Sequence, residues 1–183
     1  MEYYELNVCG LTRKLPIVRV SDELEIASFV LLGDTELVVE AAKEFEKLLP
    51  EIDVIITAEA KGIPLVHEVA KRLHMPHYVV ARKSVKPYMN DPVVTEVFSI
   101  TTQKKQILCL DSQECDYIRG KRVAIMDDVI STGESLKAIE NLVKKAGGNV
   151  VAKAAILAEG DAKDRKDIIY LQELPIFKVK PSR

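Results

Sequence analysis

An α/β fold built on a mainly parallel central sheet flanked by helices follows from three observations. Strand, loop and helix repeat in that order along the chain, the strands are short apolar runs rich in β-branched residues, and the helices end at proline or glycine. The first unit begins at residues 53–57 (DVIIT), followed by a glycine-containing loop. Residues 63–73 come next, with Leu65, Val66, Val69, Ala70 and Leu73 at helical spacing before Pro76. Residues 77–81 (HYVVA) and 122–126 (RVAIM) read as further strands. Residues 136–146 read as a helix ended by Gly147 and Gly148, and residues 149–157 (NVVAKAAIL) as another strand. Such units require right-handed crossovers and place ligands beyond the carboxyl ends of the strands.

Two regions stand outside this alternation. Residues 82–110 have no helical period; residues 95–100 and 106–110 can pair as a hairpin around a lysine-containing turn at 103–105. An excursion of that length from a compact domain is more often a functional lid than an idle loop, with disorder as the alternative. The N-terminal part, residues 15–20 and a helix over 34–48, precedes the first clear unit and is placed to cap one end of the sheet. The C-terminal residues 178–183 (KVKPSR) are expected to fray.

The chain has 183 residues, of which 48% are hydrophobic and 30% charged, and it contains no repeat, low-complexity tract or linker. One domain, residues 1–183, is therefore expected. With 26 basic against 28 acidic residues it lacks the basic surplus of a nucleic-acid binder. No apolar run approaches the roughly 18 residues of a membrane span, and the first residues (MEYYELNVCG) do not form a signal peptide, so a cytoplasmic location is expected. Cys9, Cys109 and Cys115 are odd in number and suit a reducing compartment; His67, His74 and His77 lack the spacing of a metal site.

The strongest local signal is residues 123–135 (VAIMDDVISTGES). An apolar strand carries Asp127 and Asp128 towards its carboxyl end. A short loop with Ser131, Thr132, Gly133 and Ser135 then opens into a helix, whose unpaired N–H groups and positive dipole end form an anion cradle. The two carboxylates beside it can accept hydrogen bonds from sugar hydroxyls and help hold a divalent cation. A plain helix cap by Ser131 or Thr132, with solvated acids, is the bland alternative. A Walker B strand is the functional rival, but the Gly-x-x-x-x-Gly-Lys-Ser/Thr loop it needs is missing from the chain.

Residues 123–135 resemble the phosphoribosyl diphosphate (PRPP) signature of type I phosphoribosyltransferases, a family with a single-domain α/β fold, a flexible flap and a small hood. The resemblance implies that Asp127 and Asp128 contact the ribose hydroxyls, and that Ser131, Thr132, Gly133, Glu134 and Ser135 bind the 5′-phosphate. Glu134 stands where many members have a second glycine. Residues 58–63 (AEAKGI) resemble the family's diphosphate loop, often with a non-proline peptide in an unusual conformation, which assigns Glu59, Ala60, Lys61 and Gly62 to PRPP. Arg82 and Lys83 resemble the basic pair facing the diphosphate, and residues 84–105 correspond in position to the flap. Lys83, Lys86, Tyr88 and Glu96 are the catalytic candidates there, since a lid protects the positive charge that develops on the ribose from water.

The base is expected under a hood made mainly of residues 1–37 and 158–178, against Phe29, Val129 and Glu159. Residues 20–37 resemble the hood of xanthine phosphoribosyltransferases, but Leu31 replaces their base-reading asparagine. Gly160 occupies the place where enzymes of 6-oxopurines carry a lysine. Transfer of the phosphoribosyl group of PRPP to adenine is the first reading implied, with magnesium as cofactor, held mostly indirectly by Asp127 and Asp128, and a homodimer as the assembly. The alternatives are xanthine or another purine, or a non-catalytic PRPP sensor, because AKGIPL, VVARK and ILAEGD also resemble the sensing domain of the Gram-positive purine repressor.

Overall fold

A computed structural model of the protein describes residues 2–97 and 106–179. Three strands come first, β1 (Tyr3–Val8), β2 (Leu11–Arg19) and β3 (Leu24–Ala27), followed by α1 (Thr35–Leu48). The sheet then opens with β4 (Val54–Ala58), α2 (Ile63–Arg72) and β5 (Val79–Ala81), and a hairpin of β6 (Val93–Val97) and β7 (Gln106–Leu110) leaves it. After α3 (Ser112–Ile118) come β8 (Arg122–Ile130), α4 (Glu134–Lys145) and β9 (Asn149–Glu159). A 3₁₀ turn (Gly160–Asp164), β10 (Ile169–Leu174) and β11 (Ile176–Lys178) complete the chain.

The five-stranded sheet has the order β10-β9-β8-β4-β5, and every pair in it is parallel. Its strands are apolar on both faces because both are covered. Ile55, Ala124, Met126 and Ile156 pack with Leu37, Ala41 and Phe45 of α1 and Leu65, Val66 and Val69 of α2. From the other side Val54, Ile56, Val123 and Ile125 pack with Ile118 of α3 and Ile139, Leu142 and Val143 of α4. Each side of the sheet thus has its own core, and the sheet cannot slip register without exposing one of them.

From β4 the chain crosses by α2 to β5, and from β8 it crosses by α4 to β9, on the opposite side in the strand order. The loops that follow these two neighbouring strands therefore diverge, and the crevice between them is where open α/β sheets bind ligands.

The first three strands and β11 form a separate antiparallel sheet, order β1-β2-β3-β11, drawn from the two segments, residues 1–37 and 158–178, from which a hood is expected. An ion pair fixes it to the body: Arg13 of β2 donates from Nε to Asp34 Oδ2 at 2.7 Å, and Asp34 also accepts from the Leu37 N–H as the N-cap of α1.

The excursion at 82–110 is an antiparallel hairpin, Val93 opposite Leu110 and Val97 opposite Gln106. Its tip, including residues 98–100 and the expected turn at 103–105, lies outside the described residues, as do residues 180–183 of the C-terminal segment expected to fray. The hairpin rests on α4, where Lys145 Nζ donates to the Val94 carbonyl at 2.8 Å.

Two expectations change in detail. The strand expected over 122–126 runs on to Ile130, so Asp127 and Asp128 lie within the ladder, opposite β9. The helix expected from 136 begins at Glu134, because Gly133 turns the chain with φ 83° and starts it two residues earlier.

Candidate active site

Three segments meet above the switch point: the loop after β4, the loop after β8, and the chain between β3 and α1. With Lys83 after β5, Gln106 and Leu108 of β7 and Glu159 at the end of β9, these segments and the strand ends beneath them line a cleft of about 540 Å³ through Ser28, Phe29, Ala58, Glu59, Ala60, Lys61, Asp127, Asp128, Val129, Ser131 and Ser135. This is the size of a small-molecule site.

The loop after β4 carries a cis peptide between Glu59 and Ala60. Glu59 ties the loop to the end of β5, since its Oε2 accepts from the Lys83 N–H at 3.0 Å and its own N–H donates to the Ala81 carbonyl at 2.9 Å. The Lys83 N–H first, and then the Arg82 guanidinium, hold its carboxyl below the usual range. Arg82 Nε approaches Glu59 Oε1 to 3.2 Å, yet the nitrogen is buried without a well-aligned hydrogen bond. Gly62 begins α2, and it is the only residue type that fits: a Cβ there would lie 2.2 Å from the Thr57 hydroxyl and 3.1 Å from Asp127 Oδ1.

Asp127 and Asp128 sit side by side on β8. The Asp128 N–H donates to Asp127 Oδ1 at 2.8 Å. Asp128 is 3% exposed, its Oδ2 has no hydrogen-bond partner, and the nearest cation is Lys61, whose Nζ lies 3.6 Å away. A buried carboxylate oxygen left unpaired is costly unless a ligand supplies donors. Burial, and then the charge of Asp128, push the Asp127 carboxyl well above the ordinary carboxylate range.

A carboxyl raised in this way holds more protons folded than unfolded between its unfolded pKa, about 3.9, and its raised folded value. Stability is therefore full below that window and is lost as pH rises through the folded value. Asp127→Asn removes the loss, so the ligand-free variant should melt a few degrees above wild type at pH 8 (roughly 2–4 °C per kcal/mol), with the gap closing towards pH 4. Equal melting temperatures at both pH values contradict this reading.

The loop after β8 forms a smaller pocket of about 120 Å³, lined by Ser131, Thr132, Gly133, Glu134 and Ser135 and sharing Asp127, Val129, Ser131 and Ser135 with the main cleft. The bland alternative of a capped helix fails here. The N-cap of α4 is Gly133, it makes no side-chain cap bond, and the hydroxyl of Thr132 only approaches the Glu134 N–H at 3.5 Å. The first-turn N–H groups are left for an anion.

On the hood side, Phe29, Val129 and Glu159 face the cleft together. Phe29 is only 7% exposed, so most of its ring belongs to the core. Leu31 is fully buried and lies away from the cleft lining. Gly160 follows Glu159 in the left-handed region, with φ 60°, a backbone conformation that favours glycine over lysine.

The flap candidates divide. Lys83 lines the cleft. Lys86 donates to Ser84 Oγ at 2.7 Å, and Tyr88 accepts from Arg82 Nη1 at 3.1 Å; Arg82 and Tyr88 line a different cleft, with Tyr78 and Tyr117. Glu96 is exposed on β6 and lies outside the main cleft's lining. Among the described residues no group of three or more His, Cys, Asp or Glu could hold a metal ion, and no helix is long and apolar enough to cross a membrane. One neighbour of the site is not marked in the sequence: Thr57, whose hydroxyl packs against Gly62, ends an apolar run and looks like one more β-branched strand residue.

A switch-point cleft with an acidic pair on one strand and an open helix N-terminus after it has the chemistry to accept a phosphorylated polyol. The model of the phosphoribosyl transferase domain family matches residues 38–181, and the chain belongs to this family, with the type I fold. It is 33% identical over 129 residues to the xanthine phosphoribosyltransferase of Lactobacillus acidophilus, covering 69% of this chain and 66% of that protein, just under two thirds of the relative's length. It is 34% identical over 144 residues to the hypoxanthine/guanine phosphoribosyltransferase of Methanotorris igneus, covering 79% and 72%. The crystal structure of adenine phosphoribosyltransferase from Thermoanaerobacter pseudethanolicus superposes with a TM-score of 0.67 at 25% identity, over 78% of this chain and 84% of that one.

Proposed function

We propose that this protein is a purine phosphoribosyltransferase that joins adenine to PRPP and releases diphosphate. The observation that carries the proposal is the buried Asp128 carboxylate, whose Oδ2 accepts no hydrogen bond, beside a helix N-terminus without a side-chain cap, a polyol site and a phosphate site on one short segment. In this reading the loop 131–135 holds the 5′-phosphate, Asp127 and Asp128 accept from the ribose hydroxyls, and the loop 59–62 with Lys61 and Lys83 holds the diphosphate. Phe29, Val129 and Glu159 meet the base.

The chemistry follows from charge. As diphosphate leaves C1, positive charge grows on the ribose, and fixed carboxylates next to the ring stabilise it without reorganisation. Asp127 and Asp128 are the residues that would hold a magnesium ion, mostly indirectly, and bound there it would supply positive charge against the diphosphate. Lys86, Tyr88 and Glu96 have no role in the steps drawn from the present geometry. The homodimer implied by the family resemblance belongs to the same proposal.

Adenine is favoured by the base end of the cleft. Glu159 offers acceptors to an amino group, and glycine stands where a donor to a 6-oxo oxygen would be needed. The names of the sequence relatives favour a second reading, transfer to xanthine or to hypoxanthine and guanine. Nucleotide formed from PRPP and magnesium with adenine, hypoxanthine, guanine, xanthine or orotate decides between them. Adenine is expected to be used at least about tenfold better than the others, in line with a site built around one amino group. Preference for a 6-oxopurine selects the second reading, and PRPP binding without turnover of any base makes the protein a sensor.

A further inference from the structure

The phosphate loop has a neighbour that the cleft does not reveal. Arg165, at the end of the 3₁₀ turn, places its guanidinium over Gly133: a Cβ on Gly133 would stand 2.5 Å from Arg165 Nη1. The contact is side chain against backbone, and it lies at the one loop residue in the left-handed region, with φ 83°.

Arg165 is held there by a chain of ion pairs. Its Nε and Nη2 fork the Asp167 carboxylate at 2.9 and 2.7 Å. Asp167 Oδ2 also accepts from Lys153 Nζ at 3.0 Å, and Lys153 pairs with Glu140 at 2.6 Å. Glu140 is on α4, the helix that Gly133 begins, and Lys153 is on β9. Lys153 is mostly buried, with 18% of its side chain exposed, so the chain of pairs is built into the structure rather than drifting on its surface. The fork uses two of the three guanidinium nitrogens, and the third, Nη1, is the one directed at the loop.

The loop needs such a neighbour. Residues 131–135 contain no lysine or arginine, and Glu134 brings a negative charge to the place where a phosphate dianion would sit. A fixed cation against the backbone of Gly133 adds to the N–H dipoles of the helix N-terminus and offsets Glu134.

We propose that Arg165, anchored by Asp167 and Lys153, is a positioning residue for the phosphate end of the cleft, holding the turn at Gly133 and strengthening the site for a sugar 5′-phosphate. The inference rests on the reading of residues 131–135 as the 5′-phosphate loop.

Binding of ribose 5-phosphate and of inorganic diphosphate, each with magnesium, to wild type, Arg165→Met and Arg165→Lys tests it. Ribose 5-phosphate probes the loop near Arg165, and diphosphate probes the other end of the cleft. In Arg165→Met, ribose 5-phosphate should bind roughly tenfold more weakly, the loss expected for one charge-assisted contribution, with diphosphate binding unchanged. Arg165→Lys, which keeps the charge and loses the fork, should recover part of the difference. Asp167→Asn, which frees the arginine from its anchor, should weaken ribose 5-phosphate in the same selective way. Unchanged ribose 5-phosphate binding in Arg165→Met, equal weakening of both ligands, or a lysine variant no better than methionine overturns the inference alone. A wild-type protein that binds neither ligand overturns the proposed function, and this inference with it.

Discussion

Gly62→Ala is expected to disable the protein while leaving the cleft's charged groups in place. The new methyl would lie 2.2 Å from the hydroxyl of Thr57, which is fully buried on β4, and within 3.3 Å of the Asp127 backbone. Neither neighbour is a flexible surface chain that can swing aside, so the loop after β4 has to move. Overpacking of this kind costs about 1–3 kcal/mol, read as a drop in Tm of roughly 2–4 °C per kcal/mol for a chain of this length. Displacing the loop by about 1 Å should reduce kcat/KM by roughly 100-fold, since the backbone of residues 59–62 is proposed to hold the leaving diphosphate. Thr57→Ala in the same chain removes the hydroxyl and should restore much of the melting temperature. If Gly62→Ala melts and turns over like wild type, the close packing of Gly62 has no such role.

Asp128→Asn is expected to separate function from folding. The substitution keeps shape and one carbonyl acceptor but removes the buried negative charge, whose Oδ2 makes no hydrogen bond and faces Lys61 Nζ at 3.6 Å. Folding loses no hydrogen bond through that oxygen and only an ion pair to a half-exposed lysine, which is worth little, so the Tm should hold or rise. Binding loses charge-assisted hydrogen bonds from the ribose hydroxyls, each worth about 1.5–3 kcal/mol, and kcat/KM for PRPP should fall about 10–100-fold. Initial rates at varied PRPP, with a melting curve of the same sample, check both halves. A variant with normal kinetics and a lowered Tm would make Asp128 a structural acid.

The parts of this arrangement that could be read from the sequence are those fixed by local pattern. Residues 54–58 are buried one after another, so five apolar or small residues in a row could only be a strand covered on both faces. The segment around Asp127, Asp128 and Gly133 was legible because its chemistry is contiguous along the chain. The hood strands were not. In β1 the burial alternates around Tyr3, Glu5 and Asn7, and β3 pairs with β11, about 150 residues away, so the signal lies in tertiary pairing rather than in either segment. The helix α3 carried a capping box, Asp111 with Glu114, but is only seven residues long, too short for its apolar period to stand out. Arg165 was invisible for the same reason as the hood. Nothing near residue 165 in sequence refers to Gly133, and only the crossing of α4 and β9 brings the two together.

Phe29 and Leu31 differ in their relation to the cleft. Phe29, expected to meet the base, lines the cleft with a mostly buried ring, and Leu31, which stands where xanthine-type hoods carry an asparagine, is wholly in the core. Their apolar character serves the packing beneath the hood, and only a small part of Phe29 reaches the cleft. Val129 and Glu159, the other cleft-lining residues proposed to meet the base, lie near the ends of β8 and β9, which is where open α/β sheets place ligand contacts.

If one cleft grips PRPP at both its phosphate ends, calorimetric titration of the ligand-free protein with PRPP and magnesium should show saturable binding at one site per chain, competed separately by ribose 5-phosphate and by inorganic diphosphate. Absence of binding, or binding that neither fragment displaces, would contradict it.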